Sequence, residues 1–227
     1  MIRKFSPRWE VLPPVQKQLW PELAPATKLR FVLYGGTAIA LQVGHRSSVD
    51  FDFFTDRPLH RDQILSEFSF LKHSTILQDQ LDTLSFLTSL RSAEQSRVKV
   101  SFFGDIDHGR VGEPRETNDG VLQVASLDDL MATKLKTILQ RIEAKDYRDV
   151  AAMLKAGVSL ARGLASASRL YGKANFQPSE SLKAMVYFEG GDLGELSQEE
   201  KRLLVEAVTR VRELPAAEIA SKSLALT

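Results

Sequence analysis

Two aspartates one residue apart, Asp50 and Asp52, stand in an otherwise apolar run, Val49-Asp50-Phe51-Asp52-Phe53-Phe54. Side chains alternate along a strand, so both carboxylates project from one face while Val49, Phe51 and Phe53 share the other. Their Cα atoms then lie about 6.6 Å apart. Two anions that close repel, and each resists ionisation unless a cation sits between them. A hard divalent ion, Mg²⁺ or Mn²⁺, meets that need, because it takes carboxylate oxygens and shares its remaining ligands with water and substrate phosphates. Upstream, Phe31-Val32-Leu33-Tyr34 is a compact β-rich run that Gly35-Gly36 ends, and Thr37 caps a short helix that Gly44 stops. A Gly-Gly turn before a helix N-terminus bares backbone N–H groups at a positive dipole end, which suits a phosphate. Each feature also has a plain reading: Gly-Gly closes many ordinary turns, and Asp-x-Asp on a half-exposed strand is often a solvated face. It is their order, a phosphate cradle and then paired carboxylates, that singles the stretch out.

Other residues of chemical interest are more dispersed. Arg46 lies in the loop that feeds the aspartate strand, where a guanidinium reaches a phosphate. Lys134 and Arg141, seven residues apart in a predicted helix from Leu127 to about Ile142, fall on one face after nearly two turns. Lys145-Asp146-Tyr147-Arg148-Asp149-Val150 opens the next helix. Taken singly, a lysine on an amphipathic helix is usually a solvated residue, and Asp146 suits a cap. His45, His60, His73 and His108 show no metal-ligand or triad spacing, and there is no Ser-His-Asp or Gly-Lys-Ser/Thr arrangement.

Tyr34-Gly35-Gly36-Thr37-Ala38 followed by His45-Arg46-Ser47-Ser48 and the aspartate run resembles the signature of the AbiEii/AbiGii-type toxin nucleotidyltransferases. These are proteins of bacterial abortive-infection and toxin–antitoxin systems, within the DNA polymerase β-like nucleotidyltransferase superfamily. Lys134-x6-Arg141 and then Lys145-Asp146-x-x-Asp149 is similar to that family's second and third motifs. Leu182 to Phe188 resembles a segment the family often follows with acidic residues, here Glu189-Gly190-Gly191-Asp192. The resemblance implies Mg²⁺-dependent transfer of a nucleotidyl group from an NTP to an acceptor, with tRNA or another RNA as one candidate, and a cognate antitoxin as partner. It implies that Asp50 and Asp52 hold the metal, that Gly35, Gly36 and Thr37 cradle phosphates, and that Arg46 and Arg141 add nucleotide contacts. Lys134 would then neutralise phosphate charge, with Asp146 or Asp149 assisting the acceptor or the geometry. One departure stands out. The superfamily usually draws a third carboxylate from a later strand, here Val98 to Phe103, where Ser101 occupies the place. Asp105 and Asp107 follow that strand but read as loop residues. Two alternatives stay open: a nucleotidyltransferase fold that binds nucleotide or partner without catalysis, and an enzyme modifying a protein hydroxyl or an antibiotic.

The elements that must position these residues follow from patterning. Strands are predicted at Phe31–Tyr34, Val49–Phe54, Thr75–Gln78, Thr83–Leu87 and Val98–Phe103, a mixed sheet of five strands covered by helices. Met1 to Lys28 reads as a lead-in with one helix begun by Pro13-Pro14 and bent near Pro21, and Leu59 to Leu71 as another helix. The turn-rich stretch from Gly109 to Gly120 suggests a boundary, followed by a short strand at Val121–Ala125. The expected architecture is α/β, with a nucleotidyltransferase-like core over residues 1–115 and a mainly α-helical lobe over 116–227. Ala216 to Thr227 reads as a weakly ordered tail. Composition fits a globular protein, 43% hydrophobic and 26% charged, and a net charge of +1 supplies no global field toward nucleic acid. The absence of cysteine excludes disulfides and thiolate metal sites. With no apolar run near membrane-spanning length and no signal-peptide pattern, a cytoplasmic protein with no membrane partner is expected.

Overall fold

Residues 3–89 and 97–226 are described by a computed structural model, in which the chain forms two units. The first takes in the chain up to Gly109, Glu113–Ala125 and the segment from Ser221 onward. The second comprises Arg110–Gly112 and Ser126–Ala220.

The first unit is built on one mixed sheet with eight strands among the described residues. In chain order these are β1 (Lys4–Phe5), β2 (Val32–Tyr34), β3 (Asp50–Phe54), β4 (Thr75–Asp79), β5 (Thr83–Ser89), β6 (Arg97–Phe103), β7 (Arg115–Thr117) and β8 (Gln123–Val124). They lie in the order β1-β7-β8-β2-β3-β6-β5-β4, with β3 central, antiparallel to β2 and parallel to β6. Alternation along β3 does what the sequence requires: Phe51 and Phe53 are fully buried, and Asp50 and Asp52, which alternate with them, are half-exposed. Phe102 on β6 is the hub of that core, with ring centroids 5.1 Å from Phe31, 5.5 Å from Phe53 and 5.1 Å from Phe68. Burying a phenylalanine contributes roughly 1.5–3 kcal/mol, and each well-placed ring pair about 0.5–1.5 kcal/mol more. The strand carrying the aspartates is thus held from beneath by apolar packing.

Several expectations need correction. The sheet has eight strands where five were expected; β1 and β7 have only two and three residues, too few for a periodicity to register. Val49 does not join the phenylalanine face: β3 begins at Asp50, and Val49 is 56% exposed. The lead-in breaks into α1 (Pro14–Leu19), a 3₁₀ turn at Trp20–Leu23 and α2 (Pro25–Lys28), as Pro21 and Pro25 require. After α3 (Gly35–Val43), helix α4 spans only Arg61–Glu67, because the chain turns extended at Phe68 and buries that ring against Phe102. Nor is the tail loose. Leu224 is fully buried, its N–H donates to Asp56 Oδ1 at 3.0 Å, and the Leu226 N–H donates to Gln123 Oε1 at 2.9 Å. Thr227, the last residue of that expected tail, lies outside the described residues.

The second unit is helical: α5 (Leu127–Ile138), α6 (Ala144–Lys155), α7 (Leu160–Asn175), α8 (Pro178–Val186) and α9 (Gln198–Arg210). Ser126 caps α5 by accepting from the Asp129 N–H, and Ser197 with Glu200 forms a capping box on α9. Gly163 lets α7 approach α5 closely, since a Cβ there would sit 2.3 Å from Met131 Cγ. Helix α5 stops at Ile138 rather than near Ile142, so Arg141 lies in the connector and not on a shared helical face with Lys134. Among the described residues, no helix is long and apolar enough to cross a membrane.

Candidate functional site

In the first unit, the chain leaves β2 at Tyr34 and turns at Gly35, whose φ of +72° lies in the left-handed region that favours glycine. A second constraint acts at the same atom. A Cβ on Gly35 would lie 2.4 Å from Asp52 Oδ2, inside any real contact. The glycine turn and the aspartate strand are therefore one local structure. The register agrees, with Tyr34 paired to Asp52 across β2 and β3.

Thr37 is buried, and its hydroxyl donates to the Asp50 carbonyl oxygen and lies 2.7 Å from Ser48 Oγ. The side chain thus ties the first turn of α3 to the start of β3; only its backbone N–H remains for a ligand. Gly44, at φ +76°, ends α3 and sends the chain into the His45–Ser48 loop. That loop is moored to the N-terminal segment by Ser47 Oγ and the Ser48 N–H, both donating to the Val11 carbonyl at 3.0 and 3.3 Å. Arg46 is half-buried and donates to the Ser47 carbonyl at 3.1 Å.

Beside the aspartates runs β6, in parallel register: Asp50 opposite Lys99, Asp52 opposite Ser101, Phe54 opposite Phe103. Ser101 thus stands directly across from Asp52. It is fully buried and accepts a 3.1 Å hydrogen bond from Ser85 Oγ on β5. Asp105 and Asp107 are exposed beyond the end of β6. Among the described residues no group of three His, Cys, Asp or Glu side chains converges as a metal site. Two half-exposed carboxylates on one face do fit a hard cation that draws its other ligands from water and phosphate. The space at Asp52 Oδ2 that a Cβ would fill, kept open by Gly35, supports the same fit.

In the second unit, Lys134 on α5 is 6% exposed and donates to Asp146 Oδ1 at 2.6 Å, with Asp149 Oδ2 at 2.7 Å. Arg141 reaches the same carboxylate from the connector, Nε to Asp146 Oδ2 at 2.8 Å and Nη2 to Oδ1 at 3.1 Å. Two cations and two buried carboxylates make a neutral, closely bonded cluster that clamps α5 to α6. Burial opposes ionisation of Asp146, but the Arg141 hydrogen bonds and the Lys134 ammonium outweigh it and hold that carboxyl below the usual aspartate range. The structure therefore brings together Gly35, Gly36, Thr37, Asp50 and Asp52 in one unit and Lys134, Arg141, Asp146 and Asp149 in the other.

Two further polar residues on these elements stand outside the proposed site residues. Lys99 was readable from the period-two pattern Val98-Lys99-Val100-Ser101, which puts it on the face of the serine already singled out. Asp129, buried on α5, accepts from the Val111 and Gly112 N–H groups at 2.8 and 3.1 Å and from Ser126 Oγ at 2.6 Å. Only its capping role could be read from sequence.

A profile of the family described as nucleotidyl transferase AbiEii toxin, Type IV TA system, matches residues 22–221. An uncharacterized protein of Aquifex aeolicus (strain VF5) is 33% identical over 162 residues, 70% of this chain and 74% of that protein. Among solved structures, a Helicobacter pylori protein provisionally assigned as a nucleotidyltransferase superposes with a TM-score of 0.58 at 17% identity, covering 85% of this chain and 91% of the other. An antigenic nucleotidyltransferase-like protein from Paracoccidioides brasiliensis gives 0.55 at 15% identity, over 92% and 96% of the two chains. The MenT4 nucleotidyltransferase toxin of Mycobacterium tuberculosis H37Rv gives 0.50 at 11% identity, over 85% and 82%. At these identities the structural likeness establishes the fold.

Proposed function

The chain belongs to the AbiEii nucleotidyltransferase toxin family, and we propose that it moves a nucleotidyl group from an NTP to an acceptor hydroxyl, with RNA as the acceptor class. By family it is a nucleotidyltransferase; substrate, metal and residue roles are our reading. The observation that carries it is Gly35 packed against Asp52, because that contact makes the phosphate-cradling turn and the carboxylate pair a single site.

In the proposed reaction, the acceptor oxygen attacks the α-phosphorus of the NTP. The bond from that phosphorus to the β-bridging oxygen breaks, pyrophosphate leaves with the electron pair, and the acceptor proton passes to solvent. Backbone N–H groups of Gly36 and Thr37 at the start of α3 hold phosphate oxygens, and Arg46 adds a guanidinium contact. Asp50 and Asp52 would hold Mg²⁺ or Mn²⁺, which supplies phosphate neutralisation and lowers the pKa of the attacking hydroxyl. Arg141 is assigned to nucleotide binding. Lys134 is assigned to charge developing on the phosphates, and Asp146 and Asp149 to holding its ammonium in place. Membership of a toxin–antitoxin family supports a cognate antitoxin as partner.

A second reading has its own observation. Ser101, buried and hydrogen-bonded to Ser85, cannot supply the negative charge of a third carboxylate, which favours a nucleotide-binding protein without catalysis. Ligand-dependent melting addresses the binding site shared by both readings. A ligand specific to the native state stabilises it by about 2.7 kcal/mol at one hundred times Kd. Mg²⁺ with an NTP is expected to raise the Tm of the wild type more than either alone. Asp50→Asn/Asp52→Asn is expected to fold normally and lose that increment, and an equal increment in both proteins would place binding elsewhere.

A further inference from the structure

Lys99 and Arg97 are the charges on the aspartate face of β6 that the proposed reaction leaves without a task, and Lys99 is the one in register with Asp50. Val98, Val100 and Phe102 are buried on the opposite face, so Lys99, Ser101 and Phe103 share the side of Asp50, Asp52 and Phe54. The Phe54 and Phe103 rings meet at 5.0 Å, and Ser101 bonds Ser85, which fixes that assignment from two neighbours. On its other flank Lys99 faces Leu87 of β5, leaving Asp50 as the only acid paired with it in register. Lys99 is exposed and, among the described residues, enters no ion pair.

That combination has a chemical use. An ammonium locked onto Asp50 would compete with a metal for the carboxylate; this one stands beside the pair without closing on it. An NTP brings about four negative charges, and two carboxylates add two more, against about two positive charges from one divalent ion and about one from the Arg46 guanidinium, since Lys134 and Arg141 are balanced by Asp146 and Asp149. The remaining excess is anionic and lies over β3. Neighbouring strands stand about 4.8 Å apart, a distance that the four-carbon lysine stem spans. We infer that Lys99 ion-pairs with the triphosphate of the nucleotide held at Asp50 and Asp52, as a substrate-contacting residue. The inference rests on the nucleotidyl-transfer reading and deepens it: the site takes a nucleoside triphosphate in preference to a monophosphate.

The test is calorimetric binding of non-hydrolysable analogues of the four NTPs, with Mg²⁺, to wild type, Lys99→Met and Lys99→Arg. Lys99→Met keeps the apolar stem and removes the charge. It is expected to weaken triphosphate binding about tenfold, the scale of one charged hydrogen bond. The effect on a nucleoside monophosphate should be smaller, and the melting temperature of the ligand-free protein unchanged. Lys99→Arg should restore most of the affinity. Wild type that binds triphosphate, with Lys99→Met binding it equally well, overturns the assignment while leaving the nucleotidyl-transfer reading intact. If Lys99→Met weakens RNA binding but not triphosphate binding, the lysine serves the acceptor and the inference is wrong. Wild type that binds no triphosphate at all removes the underlying reading and the inference with it.

Discussion

At the level of single residues, Gly35 is the position where the account is most exposed to test. Its φ of +72° costs any L-residue about 1–2 kcal/mol, and a Cβ there would also strike Asp52 Oδ2 at 2.4 Å. Gly35→Ala is therefore expected to lower stability by about that amount and to abolish Mg²⁺-dependent nucleotide stabilisation, read by denaturant and thermal titration. Gly44→Ala supplies the control: it carries a similar φ of +76°, but the nearest atoms to a Cβ there belong to the Arg8 side chain, the first at 3.3 Å. It should cost comparable stability and leave nucleotide binding in place. The adjacency of the Gly35 turn and Asp52 could be suspected from sequence because the proposed chemistry of Gly35, Gly36, Asp50 and Asp52 is carried by residue type and short spacing. What the sequence did not show is that the Thr37 hydroxyl is engaged by Ser48 and Asp50, which confines its proposed phosphate contact to the backbone N–H. Ser101 was singled out by its place in the motif order; alternation fixes its face within β6, but its pairing with Asp52 is a tertiary fact that the fold supplies.

At the level of elements, the pairing of α5 with α6 turns on Lys134. Removing one partner of a buried ion pair typically costs about 3–5 kcal/mol, because an uncompensated charge stays behind. Lys134→Met removes the ammonium that both buried carboxylates, Asp146 and Asp149, approach within 2.7 Å. A loss of that size in chemical denaturation is expected, whatever part the lysine takes in phosphate chemistry. Rates for this variant are therefore meaningful only at temperatures where it is folded. The pH dependence has a definite sign. Asp146 has a folded pKa held below its unfolded value, so its contribution is complete above the ordinary aspartate range and is lost as pH falls through that range toward the folded value. Asp146→Asn should flatten the acid limb of the stability profile between about pH 4 and lower values. Helix boundaries were the less legible part here. The Lys134–Arg141 spacing suggested one helical face, yet α5 ends at Ile138 and Arg141 meets Asp146 from a turn. The connection that matters is tertiary, and seven residues of spacing carry no information about it.

At the level of the whole molecule, long strongly patterned segments were readable and the pieces that complete the sheet were not. β1 and β7 draw their place from pairing with each other, Lys4 with Glu116 and Phe5 with Thr117, more than one hundred residues apart in sequence. The C-terminal segment looked loose because it lacks periodicity; it is held by Asp56 and Gln123, partners that no local pattern announces. Family membership makes the protein a nucleotidyltransferase, and the reaction assigned to Asp50 and Asp52 is the claim on which the account stands. Transfer of label from α-³²P NTPs to total RNA, in the presence of Mg²⁺ or Mn²⁺, tests it directly. The wild type should label RNA and release pyrophosphate, while Asp52→Ala, with native-like melting, should label nothing. Wild type that binds NTP yet transfers no label to RNA or protein would contradict the account and leave Ser101 as the mark of a nucleotide-binding protein.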